Sequence, residues 1–241
     1  MINVMGPQPK IASTAFLISD AARAAMLMSL VGGCALPAGE LARIAGVTAQ
    51  TASSHLSKLL AGGLLALETQ GRHRYYRLAD AHVALALETL ASISPVETVH
   101  RTPVSQASRD LQFARCCYDH LAGRLGVAIT HGLQAHGFII EAADKQFSVM
   151  PAGVTWFSAM GLELAELKPN RRGLARQCLD WTEREHHLAG PLGVQFMRLM
   201  CSKGWLRRSS TSRGVRVTPK GWAELKKQLD IDAGSVTHVR S

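Results

Sequence analysis

Apolar residues recur at helical spacing through TAFLISDAARAAMLMSL, residues 14–30, a run rich in good helix formers that predicts one core helix. Pro37 suits a first helical position, and AGELARIAGV behind it turns Leu41, Ala42, Ile44 and Ala45 to one side before Gly46 ends the helix. In VTAQTASSHLSKLLAGGLL, Thr48 offers a capping hydroxyl, and Ala52, Leu56, Leu59 and Leu60 fall on one face. The opposite face presents Gln50, Thr51, Ser53, Ser54, His55 and Lys58. After Gly62 and Gly63 the period shortens. LLALETQGRHRYYRL alternates as two strands around Gln70-Gly71, with Arg72, His73 and Arg74 at the tip and Tyr75 and Tyr76 on opposite sheet faces.

A helix, a three-residue turn and a second helix whose outer face is polar but scarcely acidic read as a helix-turn-helix. Taken alone, the basic hairpin is equally a solvated surface; joined to the two helices it reads as a wing whose cations reach phosphates. The stretch PAGELARIAGVTAQTASSHLSKLLAGGLLALETQGRHRYYRLA resembles the winged helix-turn-helix of the ArsR/SmtB family of bacterial transcriptional repressors, over roughly residues 10–95. That resemblance implies a homodimer that binds an operator in double-stranded DNA and changes its grip when an effector binds. The two recognition helices would enter successive major grooves on a roughly palindromic site. The family's paired-cysteine metal site has no counterpart in ELARIAG. Asp80-Ala81-His82 matches half of its zinc-type site, but Ile93 and Val96 stand where the other half would be.

Beyond Pro95 the chain repeats itself. HLAGRLGV at 120–127 returns as HLAGPLGV at 187–194, an offset of sixty-seven residues that also relates Gly137 to Gly204. Residues 130–164 and 193–229 share one order: a helix ending in glycine, a strand, a turn near Asp144 or near Ser212 to Gly214, a second strand and a proline-led helix. The expected fold is therefore mainly α with short β-hairpins (α+β): an N-terminal winged helix-turn-helix followed by two repeated winged-helix-like units. The domains are placed at 10–95 and, after a linker at 96–107, at 108–232, with repeats at about 108–166 and 175–232. Neither repeat carries a polar helix of the TAQTASSHL kind, which makes the C-terminal half an effector or dimerisation module. Its last hairpin, with Arg207, Arg208, Arg213 and Arg216, is either solvated surface or a further contact to DNA backbone.

Each copy also carries chemistry. A helix over 108–122 would set Cys116 and His120 at i and i+4, and Cys117 and His120 at i and i+3, with Tyr118 and Asp119 beside them. The second copy offers Cys178, Asp180, Trp181, Glu183, His186 and His187. Packing about a local pseudo-twofold axis would bring the two sets together. Four readings stay open: a soft or borderline divalent metal, a thiol switch activated near Arg115, an organic ligand between Trp181, Tyr118 and the acids, and plain packing. Cofactor and metal identity are not assigned.

Composition narrows the classes. Residues 1–95 carry seven Lys or Arg against five Asp or Glu, whereas residues 203–227 carry eight against one, so the net charge of +9 gathers at the C-terminal end and favours an anionic partner. Five cysteines, one necessarily left over, fit a reducing compartment. The N-terminus shows no secretory pattern and no stretch approaches about 20 uninterrupted apolar residues. A cytoplasmic chain without a membrane partner is expected. The sequence holds no G-x-G-x-x-G, Walker loop, G-x-S-x-G or His-Glu-x-x-His, so a non-enzymatic regulator is expected. The alternatives are a thiol- or metal-dependent enzyme, or a protein-binding module on the same scaffold.

Overall fold

A computed structural model describes residues 10–70, 73–95, 106–117, 119–170 and 173–237. The chain divides into two compact units at Leu87/Glu88. That boundary lies within a helix, ahead of the 96–107 stretch where composition places a linker; residues 96–105 lie outside the described residues.

The first unit begins with two helices, α1 (Ile11–Ile18) and α2 (Ala21–Leu30), where apolar periodicity alone predicts one. They meet at an angle of 91°. The reason is local chemistry: Asp20 accepts a hydrogen bond from the Arg23 backbone and caps α2, while the Arg23 guanidinium donates to the carbonyls of Phe16 and Leu17 at the end of α1. Next come β1 (Leu36–Pro37), α3 (Ala38–Ala45) and α4 (Ala49–Ala61). Gly46, at φ 65°, ends α3 in the left-handed conformation that favours glycine. Strands β2 (Leu65–Gln70) and β3 (His73–Leu78) pair in the register Leu67 to Tyr76, and β1 adds to the far edge of β3. Met26, Leu27, Leu30, Leu41, Ala52, Leu56 and Leu59 form a fully buried core. Ile44 is the exception to the amphipathic reading of α3: it is 37% exposed. Helix α5 (Ala81–Ile93) contributes Ala84 and Leu87 to the same core.

The second unit repeats an order of hairpin, helix, hairpin, helix. After α6 (Gln106–Phe113), the first series is β4 (Arg115–Cys117), β5 (His120–Ala122), α7 (Arg124–Ala135), β6 (Ile139–Ala142), β7 (Gln146–Val149) and α8 (Pro151–Ala159). The second is β8 (Arg176–Leu179), β9 (His186–Ala189), α9 (Gly190–Ser202), β10 (Leu206–Arg208), β11 (Val215–Val217) and α10 (Pro219–Leu229), followed by α11 (Ala233–Thr237). Equivalent positions share backbone conformation, with φ of 79° at Gly123 and 78° at Gly190. Equivalent close approaches recur as well: a Cβ at Gly126 would press on the Leu121 carbonyl, and one at Gly193 on that of Leu188. The strands β6-β7-β8-β9 make one antiparallel sheet, with β7 and β8 joined at Gln146 and Arg176. One hydrophobic core, including Leu125, Leu133, Phe157, Leu192, Phe196 and Met200, lies among the helices of both series.

The helix expected over 108–122 is not formed. It stops at Phe113, and residues 115–122 turn back as the β4–β5 hairpin, with Cys117 directly across from His120. A three-residue strand is too short to show its period in sequence.

Candidate functional site

Two sites stand out. In the first unit, Thr48 caps α4, its side chain accepting from the Thr51 backbone N–H. The buried Ala52, Leu56 and Leu59 fix the helix rotation, which leaves Gln50, Thr51, Ser53, Ser54 and Lys58 exposed. His55 differs from the expectation. Its side chain is only 14% exposed and its Nδ1 lies 3.9 Å from Asp20, so it faces the protein rather than a groove. On the hairpin, Arg74 is exposed, while Arg77 pairs with Glu68. Arg72 lies outside the described residues, and His73 is described for its backbone only. The Asp80 Oδ1 accepts from the N–H groups of His82 and Val83 and caps α5.

In the second unit, Cys117, His120, Cys178 and His187 converge, their Sγ and ring-nitrogen atoms all lying within 4.8 Å of one another. Strand register assembles the group. Cys117 stands opposite His120 in the β4–β5 ladder, and Cys178 stands opposite His187 in the β8–β9 ladder. The two imidazoles stack, with Nε2 atoms 3.1 Å apart. Each ring turns its Nδ1 toward a carboxylate: His120 toward Asp119 at 3.1 Å, His187 toward Asp180 at 3.8 Å. Cys117, His120 and His187 are buried and Cys178 is partly so.

Burial and mutual contact set the proton equilibria. The neighbouring Cys178 thiol together with burial pushes Cys117 up to about 12, while the same sulfur contact holds Cys178 below the usual thiol range. Burial pulls the His120 pKa down, but bonds to Asp119 and Cys117 outweigh it and raise the ring to about 9. Burial and the neighbouring His120 depress His187. These four groups are therefore strongly coupled and titrate as a set.

The other candidates from this region have different places. Cys116, beside Cys117 but on the opposite strand face, points into the core with its sulfur 3.8 Å from that of Met197. Asp180 is fully buried and binds the Arg115 guanidinium through both oxygens at 2.9 and 3.0 Å, while also accepting from Gly123, Thr182 and Glu183 N–H groups. Burial raises its pKa, but Arg115, His187 and the hydrogen bonds from Thr182 and Gly123 together outweigh this and hold the carboxyl below the ordinary range. Trp181 stacks on Arg115 at 5.2 Å and donates its indole N–H to Glu88. Tyr118 lies outside the described residues. Arg213, counted among the surface cations of the last hairpin, reaches inward to the Cys116 carbonyl and to Glu88, whereas Arg207, Arg208 and Arg216 are exposed.

Glu88 is the residue that sequence reading passed over. It is 5% exposed, accepts from Arg213 and Trp181, and sits 3.7 Å from both Arg115 Nε and the Cys117 sulfur. The available signal was one acid in the otherwise apolar AHVALALETLASI.

Helices, wing and exposed polar face together define the class of a DNA-binding transcription regulator, and comparison with known proteins agrees. A helix-turn-helix domain family matches residues 18–68. The chain is 43% identical over 223 residues to the uncharacterized HTH-type transcriptional regulator YdfF of Bacillus subtilis, an alignment covering 92% of this chain and 98% of that protein. It is 38% identical over 76 residues to the HTH-type transcriptional regulator CmtR of Mycobacterium tuberculosis, covering 32% of this chain and 64% of CmtR. The solution structure of that protein, described as a cadmium metal-sensor, aligns at 33% identity over 39% of this chain and 98% of CmtR, with a TM-score of 0.31. The chain belongs to the HTH-type transcriptional regulators. No single helix among the described residues is long and apolar enough to cross a membrane.

Proposed function

We propose that the protein is a cytoplasmic repressor that binds a palindromic operator as a homodimer, with the second unit modulating its grip on DNA in response to an effector. The observation that carries this reading is α4, a capped helix with three fully buried anchors and an outer face of Gln50, Thr51, Ser53, Ser54 and Lys58. Such a face offers short donors and acceptors to base edges and one cation to phosphate. Arg72, His73 and Arg74 on the hairpin would hold the backbone. Exposed Ile11 and Phe16 on α1, and Leu85, Leu90 and Ile93 on α5, are apolar groups that a second copy would cover. The matched φ angles and glycine contacts of the second unit support descent of its two series from one winged-helix-like ancestor.

The test is retardation of duplexes selected by the protein from a random pool, measured across salt concentrations. Because each neutralised phosphate releases condensed counterion, log K should fall against log salt with a slope of about 0.9 per contact. Changing Arg72 and Arg74 together to Ala should lower that slope by about 2. Salt-insensitive binding would overturn the reading. A folded protein that selects no duplex would favour a protein-binding module.

A further inference from the structure

We propose that Cys117, His120, Cys178 and His187 form a tetrahedral site for one zinc-type divalent ion, binding through the two Sγ and the two Nε2 atoms. Each hairpin supplies one thiol and one imidazole, so occupancy would clasp β4–β5 to β8–β9 and tie together the two series of the second unit.

Four observations converge on this. The donors are of the two kinds that zinc prefers, and they number four. Bond lengths of about 2.3 Å to sulfur and about 2.0–2.1 Å to nitrogen place tetrahedral ligand atoms roughly 3.3–3.8 Å apart. The observed Nε2 separation of 3.1 Å and the 4.8 Å limit across the group need only small side-chain movement to meet that figure. The imidazoles are already oriented, with Asp119 and Asp180 on the Nδ1 sides and the Nε2 atoms inward, which is how carboxylates support metal-bound histidines. Finally, the buried Nδ1 of His187 has no hydrogen-bond partner, 3.8 Å from an Asp180 oxygen. Metal at Nε2 would fix the proton on Nδ1 and give that buried pair its bond.

Four protein ligands leave no position for a reacting water, so the ion would hold structure rather than perform chemistry. Loading leaves both sulfurs as metal-bound thiolates and both imidazoles neutral, and every proton these four groups carried beforehand goes to solvent, so apparent affinity falls as pH falls. The half-buried Cys178 is the side from which an ion can enter.

The experiment uses the full chain, purified under reducing conditions, stripped with chelator and titrated with Zn(II) or Co(II). Native mass spectrometry should show one ion per chain, and the cobalt form should show intense tetrahedral ligand-field bands with thiolate-to-metal charge transfer. Cys178→Ser and His187→Gln should each weaken binding by about 100-fold or more, Asp119→Asn by about 10- to 100-fold, and Cys201→Ser should leave it unchanged. Circular dichroism of the stripped variants separates lost ligation from lost fold. Should a variant fail to fold, the cobalt spectrum of the parent still reads the ligand set, and a spectrum without sulfur charge transfer would overturn the proposal. So would fewer than about 0.5 equivalents bound while both thiols titrate as free, or full binding by Cys178→Ser. The inference does not rest on operator binding. No DNA enters the measurement, so either idea can fail without the other.

Discussion

The β4–β5 and β8–β9 hairpins present the same cross-strand pair, a cysteine facing a histidine, yet they turn differently. The first closes over residues 118–119, while the second carries residues 180–185 beyond the Leu179 to His186 pair. That extra length places Asp180 and Trp181 on Arg115, and leaves Asp119 as a 45% exposed partner of His120. The strand register thus fixes the thiol and imidazole in both copies, whereas the turn is free to diverge. In the second copy it supplies a buried ion pair that the first copy has no room to make.

The largest test removes what the long turn holds. Arg115→Ala strands the buried carboxylates of Asp180 and Glu88 and should destabilise the second unit by about 3–5 kcal/mol, read as a lower denaturant midpoint. An effect below about 1 kcal/mol would show that the ion pair is not buried in solution.

Acid should expose the same asymmetry. Because Arg115, His187 and its hydrogen bonds together hold Asp180 below the ordinary carboxylate range in the folded protein against the effect of burial, the unfolded chain binds that proton more readily. The resulting stability is present above about pH 3.9 and is lost as pH falls below it. Asp180→Asn should flatten that part of the stability curve.

A smaller effect is expected where the two copies interlock. The hydroxyl of buried Thr130 accepts from the Leu188 N–H of β9 and donates to the Gly126 carbonyl within its own helix. Thr130→Val leaves that N–H unsatisfied and should cost about 1–3 kcal/mol, measured by equilibrium unfolding in chelator. The smallest belongs to the short turn: Asp119→Asn, measured metal-free, should stay within about 0.5 kcal/mol because the carboxylate is half exposed. A loss as large as that of Arg115→Ala would erase the distinction between the turns.

Much of this was legible in sequence where local rules operate. Thr48 before TAQTASSHL gave the cap, Gly46 the helix end, and the sixty-seven-residue offset the repeated element order and the pairing of His120 with His187. The break between α1 and α2 was also locally encoded, in Asp20 and Arg23, but the surrounding apolar period masked it. His55 looked like a reader on a polar face; its proximity to Asp20 depends on how α2 packs beside α4.

What the residues alone determined was the reading helix, the wing and the presence of thiols and imidazoles in each copy, because capping, glycine conformation and periodicity act within a few residues. What only the tertiary structure decided was which atoms meet. Cys117 and His120 are neighbours in a helix and in a hairpin alike, so spacing could not choose between them, nor say that Cys116 faces Met197 while Cys117 faces Cys178. Nor could it give Glu88 its three partners, since Arg115, Trp181 and Arg213 arrive from distant strands and turns, and burial of that single acid is stable only once all of them are in place.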